Sequence, residues 1–205
     1  MTEKKRAPRN RTITLTAEEI THYQTKLTKL NGLAKVADIT NKTINQDLFD
    51  ILDLLPTSFV DLLFIDPPYN LTKSFRSTTF KQGSTEEYKE WLQSWFPKLL
   101  SILKPTASVY ICGDWRSSAA IYEVAQQHLI IQNRITWERE KGRGAKVNWK
   151  NCSEDIWFCT KSRDYFFDVE AVKLKRRVIA PYKDSNRRPK DWTKSAAGNF
   201  RLTYP

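Results

Sequence analysis

The stretch from Val60 to Asn70, Val-Asp-Leu-Leu-Phe-Ile-Asp-Pro-Pro-Tyr-Asn, constrains this chain more than any other. Its first six residues are apolar except Asp61, too continuously for a strand that alternates between core and water. The run therefore predicts a strand inside a sheet covered on both faces. Pro67 and Pro68 have no N–H and a fixed φ, so the strand stops at Asp66 and the chain leaves it stiffly. Around this strand the pattern alternates. Thr16 and Glu19 match a capping box, followed by Ile20, Tyr23, Leu27 and Leu30 at helical spacing, which predicts a helix over 17–30. Residues 42–47 read as a short strand, 48–56 as a short helix, 86–105 as a helix or two joined near Pro97, and 107–115 as strand then turn. A helix over 116–129 and strands over 130–140 and 153–162 complete the series, an alternation that implies an α/β fold with a largely parallel sheet. The polar loop 70–85 is long enough to expect a functional or disordered segment. From 163 onward the pattern dissolves into basic and aromatic residues.

A chain of 205 residues with 40% hydrophobic content makes one domain with a core and a small appendage. No run of 18 apolar residues predicts a membrane span, and the first residues lack an apolar leader segment, so a cytoplasmic location is expected. Cys112, Cys152 and Cys159 form no CxxC pair and His22 and His128 lie far from them, so neither a metal site nor a disulfide framework is expected. The formal net charge of +11 is unevenly placed. Residues 1–12 carry five Lys/Arg against one acid (+4), residues 171–205 carry ten against two (+8), and the other 158 carry 19 against 20 (−1). A near-neutral body with two basic ends suits contact with a polyanion.

The strand end offers a particular chemistry. In open α/β sheets, ligands bind beyond the carboxyl ends of strands. There Asp66, when ionised, is only an acceptor, and the prolines present carbonyls without competing donors. Tyr69 adds a flat ring. Acceptors on a stiff frame beside an aromatic face suit a planar ring bearing an amine, such as adenine or cytosine. Accepting both amine hydrogens pulls the nitrogen toward sp³ and frees its lone pair, an effect of positioning and fixed dipoles. A base in a duplex reaches such a pocket only when flipped out, at about a few kcal/mol.

Asp66-Pro67-Pro68-Tyr69-Asn70 after an apolar strand resembles the amino-group DNA methyltransferases, which methylate adenine N6 or cytosine N4. The resemblance runs from about residue 42 to 165 and includes the strands at 107–115, 130–140 and 153–162. It implies a partial Rossmann-like fold dependent on S-adenosylmethionine, with Asp66, Pro67, Pro68 and Tyr69 catalytic and with Asp47 and Asp66 facing the cofactor. The motif order corresponds to the family's β arrangement, whose sheet order is 3-2-1-4-5-7-6. The chain supplies counterparts of strand 3 (about 43–46), strand 4 (60–65) and the three that follow. Central strands 1 and 2 and the Gly-rich cofactor loop are missing, so 60–65 is expected as an open edge. The resemblance thus implies residues 1–40 as a basic arm and helix, 41–165 as the target-base half, and 166–205 as the basic start of a target-recognition region. A complementing polypeptide carrying the Gly-rich loop is a possible partner beside double-stranded DNA, and adenine is preferred over cytosine as target. The competing readings are an inactive DNA-binding remnant and a methyltransferase of RNA or of a protein amide, a group that usually opens its motif with Asn.

Basic residues suited to phosphates follow the motif (Lys73, Arg76), cluster between two strands (Lys141, Arg143), and run densely near the end (Lys175, Arg176, Arg177, Arg187, Arg188). Trp115 and Trp137 are read as packing in the core or lining the site wall, with no further role.

Overall fold

A computed structural model describes residues 13–75, 78–143, 147, 149, 151–179 and 182–203. The basic arm 1–12, Arg76, and the side chains of Lys141 and Arg143 lie outside the described residues. The chain divides into two compact units, residues 1–165 and 166–205.

In the first unit α1 (Ala17–Gln24) opens with the capping box, Thr16 accepting from the Glu19 N–H while Glu19 accepts from the Thr16 N–H. It is shorter than the 17–30 helix expected, because Leu27 and Thr28 form β1 (Leu27–Thr28). After α2 (Val36–Ile39), β2 (Thr43–Ile44) pairs with β1 in parallel as a separate two-stranded sheet, so 43–46 does not join the main sheet. Gln46 ties the two segments together by donating to and accepting from the backbone of Leu30. Asp47 caps α3 (Leu48–Ile51), which continues into a 3₁₀ turn at Leu52–Leu54.

Five more elements precede the last crossover helix. They are β3 (Val60–Ile65), a hairpin of β4 (Lys73–Phe75) and β5 (Thr78–Phe80), α4 (Thr85–Trp95), and β6 (Leu103–Gly113). The break near Pro97 is a 3₁₀ stretch, Phe96–Ser101, after α4. Then come α5 (Ser118–Ala125), β7 (Ile130–Arg143) and β8 (Asn151–Thr160). The main sheet has the order β3-β6-β8-β7, which corresponds to the 4-5-7-6 part of the order the resemblance implies.

The sheet is mixed rather than largely parallel. Only β3–β6 pairs in parallel, while β6–β8 and β7–β8 are antiparallel. The reason is β8, which follows β7 after a short connection too brief for a crossover and then inserts between β7 and β6.

Nor is β3 covered on both faces. It is an edge of the four-stranded sheet, and Leu62 and Phe64 are 60% and 58% exposed. Continuous apolarity marked a strand but did not distinguish a core position from an open apolar face. The covered face packs Leu103, Val109, Ile111 and Cys159 against α4, the 3₁₀ stretch after it and α5, where Leu92, Leu99, Ile121 and Val124 are buried. On the other face a row of rings runs across the strands, Phe64 on Tyr110 and Tyr110 on Phe158, the latter pair with centroids 4.8 Å apart. Among the described residues, no helix is long and apolar enough to cross a membrane.

The second unit is ordered where the sequence pattern dissolves. β9 (Leu174–Arg177), β10 (Thr193–Ser195) and β11 (Gly198–Thr203) form an antiparallel sheet in the order β10-β11-β9. Gly198, with φ +122°, starts the strand that returns from the turn after Ser195. Such a conformation is open to glycine and strained in other residues.

An open apolar edge invites pairing with other chains. Replacing Leu62 with Lys is expected to lower concentration-dependent association of this chain, read as a smaller weight-average mass in sedimentation. An unchanged mass would assign association to another surface. In the buried face, Leu103→Ala is expected to cost about 2–5 kcal/mol, measured by chemical denaturation.

Candidate active site

The site is built where β3 and β6 end together. Their parallel register pairs Phe64 with Tyr110 and Ile65 with Ile111, so the next residues, Asp66 and Cys112, stand side by side. Antiparallel β8 brings Ile156 opposite Cys112, and Glu154 lies two residues beyond it on the same face. The result is a cavity of about 390 Å³ lined by Asp66, Pro67, Pro68, Tyr69, Leu71, Lys73, Phe80 and Glu154.

Within it Pro67 is buried, Tyr69 is half-buried and Asp66 is exposed. The Asp66 carboxylate lies near the Tyr69 phenol. Burial pushes that phenol above its ordinary range, and Asp66 and the negative charge of Glu154 push it further the same way. The phenol is therefore a neutral donor at any physiological pH. Cys112 reports the same field: burial first, then Asp66 and Glu154, raise its thiol to about 11. Glu154 is held by Arg139, whose Nη1 lies 2.6 Å from its Oε1.

Asn70 fixes the loop that carries these groups. Its N–H donates to Ser117 Oγ at 2.9 Å, its Nδ2 donates to the carbonyls of Gly83 and Ser84, and its Oδ1 accepts from the Gly83 N–H. The residue is buried, so each bond satisfies a group that water does not reach. Ser117 is itself held by Asp114, which accepts from its hydroxyl and its N–H. Ser84 caps α4 in a second capping box with Glu87. Tyr88 on that helix donates to the Pro68 carbonyl at 2.9 Å. The loop between β3 and α4 is thus pinned at both ends, and between them it folds as the β4–β5 hairpin. Cross-strand pairing of Lys73 with Phe80 puts both on the cavity wall. Phe80 packs edge-on against Tyr88 and Trp91, which roots that wall in the core of α4.

Of the expected residues, Asp66, Pro67, Pro68 and Tyr69 come together, and Lys73 joins them on the wall. Asp47 does not line this cavity; its Oδ1 accepts from the Phe49 N–H at 2.9 Å as the cap of α3. Lys175, Arg176 and Arg177 are exposed on β9, and Arg187 and Arg188 on the turn that follows Asp184, whose oxygens accept from the backbone N–H groups of both. The sequence reading missed Asn70, Phe80, Glu154 and Arg139. For Glu154 a signal was present: it shares strand parity with Ile156 and Phe158, an acid on an otherwise apolar face.

The DNA methylase family profile, of the N6/N4 type, matches residues 60–200. Among curated proteins, the chain is 30% identical over 167 residues to the type II methyltransferase M1.MboII of Moraxella bovis, covering 80% of this chain and 61% of that protein. It is 28% identical over 142 residues to the DNA adenine methyltransferase YhdJ of Escherichia coli, covering 66% of this chain and 46% of that one. The chain therefore spans less than two thirds of the length of these relatives. Among solved structures, the cytosine-N4-specific PvuII DNA methyltransferase superposes with a TM-score of 0.52 at 16% identity, over 72% of this chain and 55% of that one, a likeness of fold.

Two outcomes follow from this geometry. Asn70→Ala removes three side-chain hydrogen bonds and leaves buried partners behind, so it is expected to lower unfolding free energy by about 2–4 kcal/mol, measured by urea denaturation. The pH dependence has a definite sign. Burial raises the phenols of Tyr69 and Tyr88 above the unfolded value, so the folded chain holds these protons more tightly. Their contribution to stability is complete below about pH 10, the unfolded tyrosine pKa, and is lost as pH rises beyond it. Absorbance at 295 nm should show two tyrosines that ionise only on unfolding.

Proposed function

The chain belongs to the N6/N4 DNA methylase family, and from that premise we propose that it is the target-base half of a DNA methyltransferase. Asp66 and the Pro67 carbonyl accept the two hydrogens of a flipped base's exocyclic amine, and the Tyr69 ring stacks on the base. The observation that carries this reading is the single cavity in which a carboxylate, two prolines and a half-buried aromatic ring meet at the end of a strand. The Pro68 carbonyl already accepts from Tyr88, whereas the Pro67 carbonyl has no donor among the described residues. Asp66 and Tyr69 line the same cavity, so an amine on Asp66 would sit beside the Tyr69 ring. Stacking on an aromatic ring is worth about 1–3 kcal/mol per base, comparable with the cost of drawing the base from the duplex. Adenine N6 is the preferred target. The alternative, cytosine N4, is supported by the fold likeness to a cytosine-N4-specific enzyme.

S-adenosylmethionine, when bound, supplies an electrophilic methyl group to the amine. The residues here fit the amine side of that chemistry. Asp66 would face the donor from the strand end, and Asp47, now the cap of α3, would offer one acceptor. Among the described residues no Gly-rich turn stands at a strand end to cradle the donor. A charged hydrogen bond gives about 1.5–3 kcal/mol, against about 8 kcal/mol for micromolar affinity. A complementing polypeptide with such a loop would pair with the open edge of β3, whose exposed Leu62 and Phe64 suit it. Double-stranded DNA is the partner of the basic unit 166–205, the start of the recognition region.

Calorimetric titration of S-adenosylmethionine into the 205-residue chain is expected to show binding weaker than micromolar, with no methylation of mixed-sequence DNA. Micromolar binding with turnover would overturn the division of labour. In a complemented, active assembly, Asp66→Ala is expected to abolish incorporation of radiolabelled methyl while leaving DNA affinity within about twofold, since each 1.4 kcal/mol is tenfold and Asp66 is no phosphate contact. A variant active near the unaltered rate would remove Asp66 from the chemistry.

A further inference from the structure

The sheet of the second unit sorts its cations between two faces. The register pairs Arg176 with Arg201, Arg177 with Phe200, Lys175 with Leu202, and Lys194 with Asn199. Strand alternation therefore puts Arg176, Arg201 and Lys194 on one face and Lys175, Arg177 and Phe200 on the other.

On the Phe200 face one cation lies over the ring and a second lies beside Gly198. Lys175 Nζ lies 4.7 Å from the Phe200 ring centroid, and Arg177 Nε rests beside Gly198 next to the same ring. A cation over an aromatic face is held there by the ring quadrupole.

The opposite face is different in kind. Arg176 and Arg201 stand directly across from each other on β9 and β11, a placement that holds Cβ atoms about 4.5–5.5 Å apart. Both are exposed, Lys194 is diagonal to Arg201, and no ion pair among the described residues includes any of the three. Like charges directly opposite destabilise a sheet. An anion between them reverses the sign of that interaction, and paired guanidinium forks match the oxygens of a phosphate diester. The aromatic ring of this small sheet lies on the other face, so the Arg face grips a backbone without stacking on bases.

We propose that the Arg176–Arg201–Lys194 face is the surface by which residues 166–205 hold the phosphate backbone of duplex DNA, and that Lys175 and Arg177 are internal supports of Phe200. This rests on the reading of the chain as a DNA-acting protein and narrows it. The dense basic run is not one uniform contact. Two of its three β9 charges point away, and Arg201 and Lys194, which lie outside the run, complete the surface.

The experiment is fluorescence anisotropy of the full chain on a labelled mixed-sequence duplex across a salt series. For R176Q/R201Q the log–log slope is expected to fall by about 1.8, two phosphates at about 0.9 each, with a thermal midpoint no lower than that of the unaltered chain because an opposed like-charge pair is gone. K175Q/R177Q is expected to leave the slope unchanged. Should the first double variant fold poorly, R201Q alone is expected to lower the slope by about 0.9. Equal slope losses in the two double variants, or a larger loss in K175Q/R177Q, would overturn the assignment. A steep slope in the unaltered chain that R176Q/R201Q does not change would reject this face while leaving the DNA reading in place. A chain with no salt-dependent duplex binding would reject both.

Discussion

The geometry of the candidate site depends on the hydrogen bonds of Asn70. Pro67 and Pro68 make the loop stiff but give it no donors of its own. Without an external tether, a stiff segment leaving an edge strand would swing as a unit. Asn70 supplies that tether from both backbone and side chain, to Ser117 before α5 and to Gly83 and Ser84 at the start of α4. Because these partners belong to the two helices covering the sheet, the position of Asp66 is set by the packing of the core. Tyr88, buried on α4, adds the bond to the Pro68 carbonyl.

The same cavity is drawn from strands of opposite direction. Asp66 comes from the end of a parallel strand and Glu154 from the early part of an antiparallel one, and both fields are felt by Tyr69 and Cys112. Arg139 balances Glu154 within the pair it forms. The cavity therefore combines a carboxylate that joins no ion pair among the described residues with one paired to Arg139, an asymmetry that favours a donor group at Asp66. The edge position of β3 serves the same end, since it leaves the carboxyl end of that strand open to a ligand on the side that no described strand occupies.

The second unit applies the alternation of a β-sheet to charge. A sequence dense in Lys and Arg offers no choice of face by composition alone. Pairing three short strands divides it into a face where Lys175 lies over Phe200 and a face where Arg176 and Arg201 stand opposed, in no ion pair among the described residues.

Much of this was legible in the sequence because it depends on local chemistry. The capping box of Thr16 and Glu19 obeys a short spacing rule, the helix break follows from Pro97, and the stop after Ile65 follows from two prolines. The acceptor character of Asp66 needs no tertiary context, and neither does the apolar run that marks β3. The rest depends on contacts between residues far apart in sequence. Whether an apolar strand is central or at an edge depends on what pairs with it, and among the described residues β3 has one neighbour. The sheet's direction was decided by where β8 inserted, and the two-stranded pairing of β1 with β2 by the reach of Gln46. Glu154 entered the site only because an antiparallel register carried it there, 88 positions after Asp66. The sequence by itself determined the chemistry at the strand end, since that chemistry belongs to side chains and prolines next to one another. The tertiary structure alone decided which distant groups share the cavity and which cations face water, because strand pairing and parity are properties of an assembled sheet.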